Sequence, residues 1–146
     1  MPASGEIKLV DANVWLALAF SDHLHHGKAK EWFDPQGNGT CAFCRVTQLA
    51  LLRHLTNTKI MGAFVQTQQS AWKNLDKLMA DPRIAFLHEP AGLEPAFRAL
   101  TQATTPSHAT WTDAYLAAFA VGHMAQIVTF DQGFSRFSGL DLQALS

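Results

Sequence analysis

Three aspartates placed at the ends of short apolar runs carry the clearest chemistry in this chain. They are Asp11 after Lys8-Leu9-Val10, Asp113 after Trp111-Thr112, and Asp131 after Ile127-Val128-Thr129-Phe130. If the runs at Leu9 and Ile127 are neighbouring parallel strands, both carboxylates emerge at the carboxyl edge of one sheet, where open α/β folds bind their ligands. Carboxylates a few ångströms apart raise one another's pKa unless a cation joins them, and a hard divalent ion such as Mg²⁺ suits an all-oxygen donor set. Taken singly, each aspartate reads as a helix cap or a turn former. Three of them at sheet-edge junctions point instead to a cation site.

Other side chains are candidates around that core. Arg45 and Gln48 lie three apart at the start of one amphipathic stretch, hence on one helix face. The planar guanidinium of Arg45 suits bidentate contact with a substrate phosphate, although a surface ion pair would use it equally well. Thr112 and Thr129 precede candidate ligands by one or two positions and could orient their carboxylates, while Thr112 also reads as a helix cap. Asp22 could add a carboxylate or be an ordinary surface residue. His23, His25 and His26 suggest a zinc cluster, but no cysteine or acid completes it at helix-ligand spacing, which favours a polar surface or packing role. Cys41 and Cys44, the only two cysteines, have C-x-x-C spacing. A structural zinc site needs four ligands, so they are expected to be small buried apolar residues.

The elements that must position these groups alternate along the chain. Ile7 to Val10 reads as a strand, Val14 to Phe20 and Lys28 to Phe33 as helices, and Thr40 to Phe43 as a second strand. Val46, Leu49, Ala50 and Leu52 repeat at helical steps across Arg45 to Thr56. A further helix marked by Ala71, Leu75, Leu78 and Met79 ends at Asp81-Pro82. Ile84 to Leu87 is a third strand, Leu93 to Leu100 a helix, Thr112 to Val121 a helix opened by a hydroxyl residue, and Ile127 to Phe130 a fourth strand. This rhythm predicts a parallel sheet with helices on both faces.

Composition limits the function. At 146 residues the chain fits one domain able to bury roughly two-thirds of its unfolded surface. With a formal net charge of −1 and no like-charge block, a nucleic-acid ligand must be held by a local patch or through bound metal rather than by whole-molecule steering. The opening Met-Pro-Ala-Ser-Gly-Glu lacks the basic start and apolar stretch of a signal peptide, and Val14 to Phe20 is too short to span a bilayer. A cytoplasmic protein without membrane attachment is expected.

At Leu9-Val10-Asp11-Ala12-Asn13-Val14, Thr112-Asp113-Ala114 and Thr129-Phe130-Asp131-Gln132-Gly133-Phe134, the chain resembles the PIN-domain family, specifically the VapC-type toxins of bacterial toxin–antitoxin pairs. The resemblance extends through His23 to Phe33 and the helix start Arg45-Val46-Thr47-Gln48-Leu49. It implies a single PIN-like domain over residues 1–146, folded as a three-layer α/β/α sandwich with a mainly parallel central sheet. It also implies a Mg²⁺- or Mn²⁺-dependent endoribonuclease that hydrolyses RNA phosphodiesters, forms a homodimer and is silenced by a VapB-like antitoxin.

Under that resemblance Asp11 and Asp113 match the principal metal ligands, and Asp131 matches a later acidic position that binds a second ion or orients water. Gln48 departs from the pattern, since most members carry a glutamate there. An amide can ligate metal through its oxygen or hold a water, but it brings no charge and cannot act as a base. Gln48 therefore has either a positioning role or none beyond polarity on the helix surface. Two other functions remain open on sequence alone. One is a PIN-like binding module with weakened catalysis; the other is a receiver-type phospho-acceptor domain, which also places an aspartate after a central strand.

Overall fold

The short apolar runs become strands only three or four residues long, so neighbouring strands must supply the hydrogen bonds that hold each of them. The computed structural model describes residues 6–146; the first five residues, and with them most of the opening segment read for a signal peptide, lie outside the described part. The strands are β1 (Lys8–Val10), β2 (Cys41–Phe43), β3 (Ile84–Phe86), β4 (Gln126–Thr129) and β5 (Leu142–Ala144). All adjacent pairs are parallel, in the order β3-β2-β1-β4-β5. The helices are α1 (Ala12–Ala19), α2 (His26–Phe33), α3 (Arg45–Leu55), α4 (Thr58–Met61), α5 (Gln68–Met79), α6 (Leu93–Leu100) and α7 (Thr110–Gly122).

Side-chain alternation on the strands divides the core into two layers, as a parallel sheet buried on both faces requires. Val10, Cys41, Phe43 and Val128 face one layer, where Trp15, Leu51, Leu55 and Leu75 from α1, α3 and α5 pack on them. Leu9 and Ile127 face the other, beneath Leu93, Ala117 and Phe119 from α6 and α7. The arrangement is the expected three-layer α/β/α sandwich. Among the described residues no helix is long and apolar enough to cross a membrane.

The strand order fixes where a ligand belongs. From β1 the chain steps outward through β2 to β3, then returns to place β4 on the other side of β1. The order reverses between β1 and β4, and the crevice outside the carboxyl ends of those two strands is where such sheets bind their ligands. A receiver domain instead sets its third strand beside the first. Here β2 and β4 flank β1, which removes that alternative.

Several boundaries differ from the sequence reading. The helix expected from Thr112 begins at Thr110, with Ala109 at the cap position, so Thr112 is an interior residue and not the cap. Helix α1 starts two residues earlier than Val14 because Asp11 caps it. Short α4 and strand β5 were not anticipated. Leu142-Gln143-Ala144 has no apolar run of its own and is extended because β4 pairs with it, Ile127 opposite Leu142 and Thr129 opposite Ala144.

Under the ligand edge, Trp15 is fully buried and stacks on Phe43, with ring centroids 4.0 Å apart and planes 6° from parallel. Its indole Nε1 has no hydrogen-bond partner among the described residues. An unpaired buried donor costs about 1–3 kcal/mol, which offsets part of the stacking gain. Trp15→Ala is therefore expected to lower unfolding stability by about 3–5 kcal/mol, whereas Trp15→Phe should cost less than about 1.5 kcal/mol because it also removes the orphaned donor. Urea unfolding of the two variants measures the difference, and equal losses would contradict it.

Candidate active site

Asp11 is the last residue to pair in the β1 direction, its N–H donating to Val128 O at 2.9 Å, and it is also the cap of α1. Its Oδ1 accepts from the Ala12 N–H at 2.8 Å, and its Oδ2 accepts from the Thr129 hydroxyl at 2.8 Å. Burial pushes the Asp11 carboxyl above its ordinary value of 3.8; the bonds from Thr129 and Ala12 pull it down, and the fields of Asp113 and Asp131 push it up again. The carboxylate is thus held in position by groups that favour its charged form, within a setting that resists that charge.

Thr129 organises the strand ends. It is fully buried at the end of β4, and its Oγ1 donates to Asp11 while accepting from the Asp131 N–H at 2.9 Å and from Asn13 Nδ2 at 3.2 Å. Asn13 closes the loop by accepting from the Phe130 N–H through Oδ1 at 3.2 Å. One hydroxyl therefore ties the carboxyl ends of β1 and β4 together and fixes the backbone that carries Asp131.

Asp131 caps a 3-10 turn over Gln132–Arg136, its Oδ1 accepting from the Gly133 N–H at 2.8 Å. A Cβ at position 133 would fall 2.9 Å from Asp131 Oδ1 and 3.2 Å from Arg136 Nη1, so a larger residue there would push both side chains from their present positions. Asp113 lies in the first turn of α7, where the helix dipole favours an anion. Its Oδ2 accepts from Arg136 Nη2 at 3.1 Å, and Arg136 Nη1 also donates to the Gly133 carbonyl. Asp113 is thereby joined through Arg136 to the turn that Asp131 caps.

The three aspartates stand around one rim without forming a closed cage: among the described residues, no three His, Cys, Asp or Glu side chains are grouped closely enough to hold a metal ion by themselves. The donor chemistry nevertheless fits a hard divalent cation. Every candidate ligand atom is a carboxylate oxygen, and the Asp11 oxygens are oriented by donors that leave lone pairs unused. The Asp11 pKa is raised chiefly because the carboxyl is partly withdrawn from water, with the neighbouring acids adding a smaller push in the same direction.

Gln48 and Arg45 occupy the first turn of α3, at the carboxyl end of β2 and one strand away from Asp11. Arg45 Nη1 donates to Gln48 Oε1, and the Arg45 guanidinium lies over the Phe86 ring, 4.9 Å from its centroid. Among the described residues no hydrogen bond joins this pair to the aspartates. Asp22 is exposed, in a turn after α1. Cys41 and Cys44 are both buried and free, in core layers on opposite faces of the sheet, and the Cys44 N–H is taken by Thr47 Oγ1 at 3.0 Å. The histidine triplet also divides its roles. His26 Nδ1–H donates to Ala17 O at 2.7 Å, His23 Nδ1 accepts from the His25 N–H at 3.0 Å, and His25 stacks on Phe130.

Two participants have contacts that the sequence does not encode. Arg136 follows Asp131 by five residues in an irregular turn, and only the fold shows that it reaches Asp113. Asn13 stands in the Asp11-Ala12-Asn13 motif, but its bonds cross to residues more than a hundred positions away.

The sequence matches the PIN domain family over residues 8–140. It is 41% identical to ribonuclease VapC41 of Mycobacterium tuberculosis over 143 residues, spanning 94% of this chain and 98% of that protein. It is 35% identical to ribonuclease VapC29 of the same organism over 133 residues, spanning 90% of each. The fold is similar to the VapBC2 crystal structure from Rickettsia felis bound to a promoter DNA fragment, with a TM-score of 0.68 at 14% identity over 96% of this chain and 99% of that one. It is also similar to Mycobacterium tuberculosis VapC20, described as a sarcin-ricin loop cleaving toxin, with a TM-score of 0.64 at 18% identity over 91% and 95%. With the sandwich, the reversal between β1 and β4 and a near-complete match to these relatives, the chain belongs to the PIN-domain family, among its VapC members.

Proposed function

We propose that this chain is an endoribonuclease toxin that hydrolyses RNA phosphodiester bonds with Mg²⁺ or Mn²⁺ held by Asp11, Asp113 and Asp131. The observation that carries the reading is the Asp11 carboxylate: half-buried at the point where strand order reverses, oriented by two donors and within the fields of two further acids. The names of the relatives, both ribonucleases, give the reaction class. When bound, the cation offsets phosphate charge and makes water a competent nucleophile near neutral pH.

The protein's own groups do the rest. Thr129 and the Ala12 N–H keep Asp11 oriented and favour its ionised form. Asn13 and Thr129 hold the backbone of Phe130 and Asp131 in place. Arg136 compensates Asp113 on one oxygen and leaves the other for ligation. Arg45, with the remaining donors of its planar fork, is placed to meet a substrate phosphate, and Gln48 steadies it.

The proposed partner is a VapB-like antitoxin. Structural relatives include a toxin–antitoxin complex from Klebsiella pneumoniae with a TM-score of 0.61 and 18% identity. Leu49 and Trp72 are about half exposed on α3 and α5, an apolar surface available for an antitoxin or for the second subunit of a homodimer. Light scattering on the isolated chain and on its mixture with the antitoxin tests both associations.

RNA cleavage should require Mg²⁺ or Mn²⁺ and disappear in EDTA. Asp11→Asn and Asp113→Asn are each expected to reduce the cleavage rate more than about 100-fold, beyond the usual cost of losing a group that merely orients a ligand. Full activity in either variant, with its thermal unfolding unchanged, would overturn the ligand set. Thr129→Val should cost about 10–100-fold while leaving the ligands themselves in place.

The acid side of the pH profile provides a separate check. Protons compete with metal for Asp11, so the cleavage rate should fall as pH is lowered, with a midpoint that moves to lower pH as the Mg²⁺ concentration rises. Removing the Thr129 hydroxyl takes away a bond that lowers the Asp11 pKa, so Thr129→Val should move the midpoint to higher pH. Because the folded pKa is raised above the unfolded one, stability associated with Asp11 is fully present below the unfolded value and is lost as pH rises through the folded value. In EDTA the protein should lose stability over that interval, and Mg²⁺ should restore it. Thermal unfolding across pH, with and without the ion, measures this; a midpoint unaffected by Thr129→Val would contradict the assignment.

A further inference from the structure

The His25 imidazole is stacked on the Phe130 ring, with centroids 4.7 Å apart and planes 22° from parallel. Phe130 lies between Thr129 and Asp131, and its N–H is fixed by Asn13, so the stack stands on the network that positions the acids. His25 occupies the cap position of α2, yet its side chain makes no capping bond. Its backbone N–H is tied to His23 Nδ1, whereas neither of its ring nitrogens has a hydrogen-bond partner among the described residues. The His23 ring follows at 5.7 Å, tilted by 45°, and Leu24 between them is 89% exposed. An aromatic series thus leads away from the acidic rim at the strand end that carries Asp131.

We infer that this series, centred on His25, is a stacking platform for an unpaired RNA base next to the scissile phosphate. The inference rests on the ribonuclease reading and adds the part of the substrate that the acids do not touch. A chain of net charge −1 has little general attraction for a polyanion, so affinity must come from local contacts. Stacking on an aromatic face supplies such contact for any base without reading its edge, and imidazole serves this purpose in RNA recognition. The unbonded ring nitrogens of His25 also leave it free to hydrogen-bond the stacked nucleotide. Paired bases keep their faces covered, so the platform selects single-stranded loops over duplex.

Oligoadenylate carrying 2-aminopurine, added to the full chain in EDTA, reports stacking by quenching of its fluorescence. The parent protein should bind and quench it, and the matching duplex should not be quenched. His25→Ala should weaken binding about tenfold and abolish quenching, while His25→Phe retains both and His25→Leu does not. With Mg²⁺ and a cleavable single-stranded RNA, His25→Ala should raise KM with kcat unchanged, the signature of lost binding rather than lost chemistry. The comparison of Phe with Leu remains decisive if the alanine variant folds poorly. Unchanged quenching and KM in His25→Ala, or equal behaviour of the Phe and Leu variants, overturns the platform while cleavage by the parent leaves the ribonuclease reading standing. A parent protein that neither binds nor cleaves RNA overturns both.

Discussion

The buried hydroxyl of Thr129 governs the working end of this molecule. It donates to Asp11 and accepts from Asp131 and Asn13, so strand ends from distant parts of the chain meet at a single oxygen. Without such a joint the carboxyl ends of β1 and β4 would be held by the ladder between two very short strands and by the single bond from the Phe130 N–H to Asn13. The joint also sets the electrostatics. It favours an ionised Asp11 in surroundings whose partial burial opposes the charge, leaving a carboxylate fixed in orientation. The acidic rim is consequently a property of the sheet's topology, expressed through one threonine.

The two core layers support this arrangement in different ways. On one face, Trp15 and Phe43 stack directly under the beginnings of α1 and α3, stiffening the helices that carry the Asp11 and Arg45 sides of the rim. On the other, the alanine-rich inner face of α7 lets that helix pack closely on Leu9 and Ile127, which sets the position of Asp113. Small side chains there bring the helix close to the sheet, and a displaced α7 would carry Asp113 away from Arg136. The packing beneath the rim therefore serves geometry as much as stability.

Much of this could be read from the sequence, and the exceptions share a cause. The apolar runs around Leu9, Ala42, Ala85 and Ile127 identified four strands because a strand buried on both faces is apolar throughout. Helical periodicity identified α3, α5 and α6 for the same kind of reason. Strand β5 escaped notice because Leu142-Gln143-Ala144 has no intrinsic pattern and gains its conformation from β4. The start of α7 was misplaced because Thr112 resembles a cap, whereas the helix begins earlier, where the hydroxyls of Ser107 and Thr110 meet at 2.8 Å. In the site itself, Asp11, Asp113 and Asp131 stood out through their junction positions, while Arg136 and the bonds of Asn13 depend on contacts across the fold that no local spacing encodes. The C-x-x-C pair is core, as two cysteines short of a four-ligand zinc set imply, and its thiols are buried in different layers.

The bond between Thr129 and Asp11 spans 118 positions, and β4 is the strand before last. During synthesis from the N-terminus, β1 therefore leaves the ribosome long before the partner that completes its ligand edge. The acidic rim cannot assemble on a nascent chain until β4 has emerged, and products ending before β4 keep Asp11 and Asp113 but lack Asp131 and the hydroxyl that joins the strand ends.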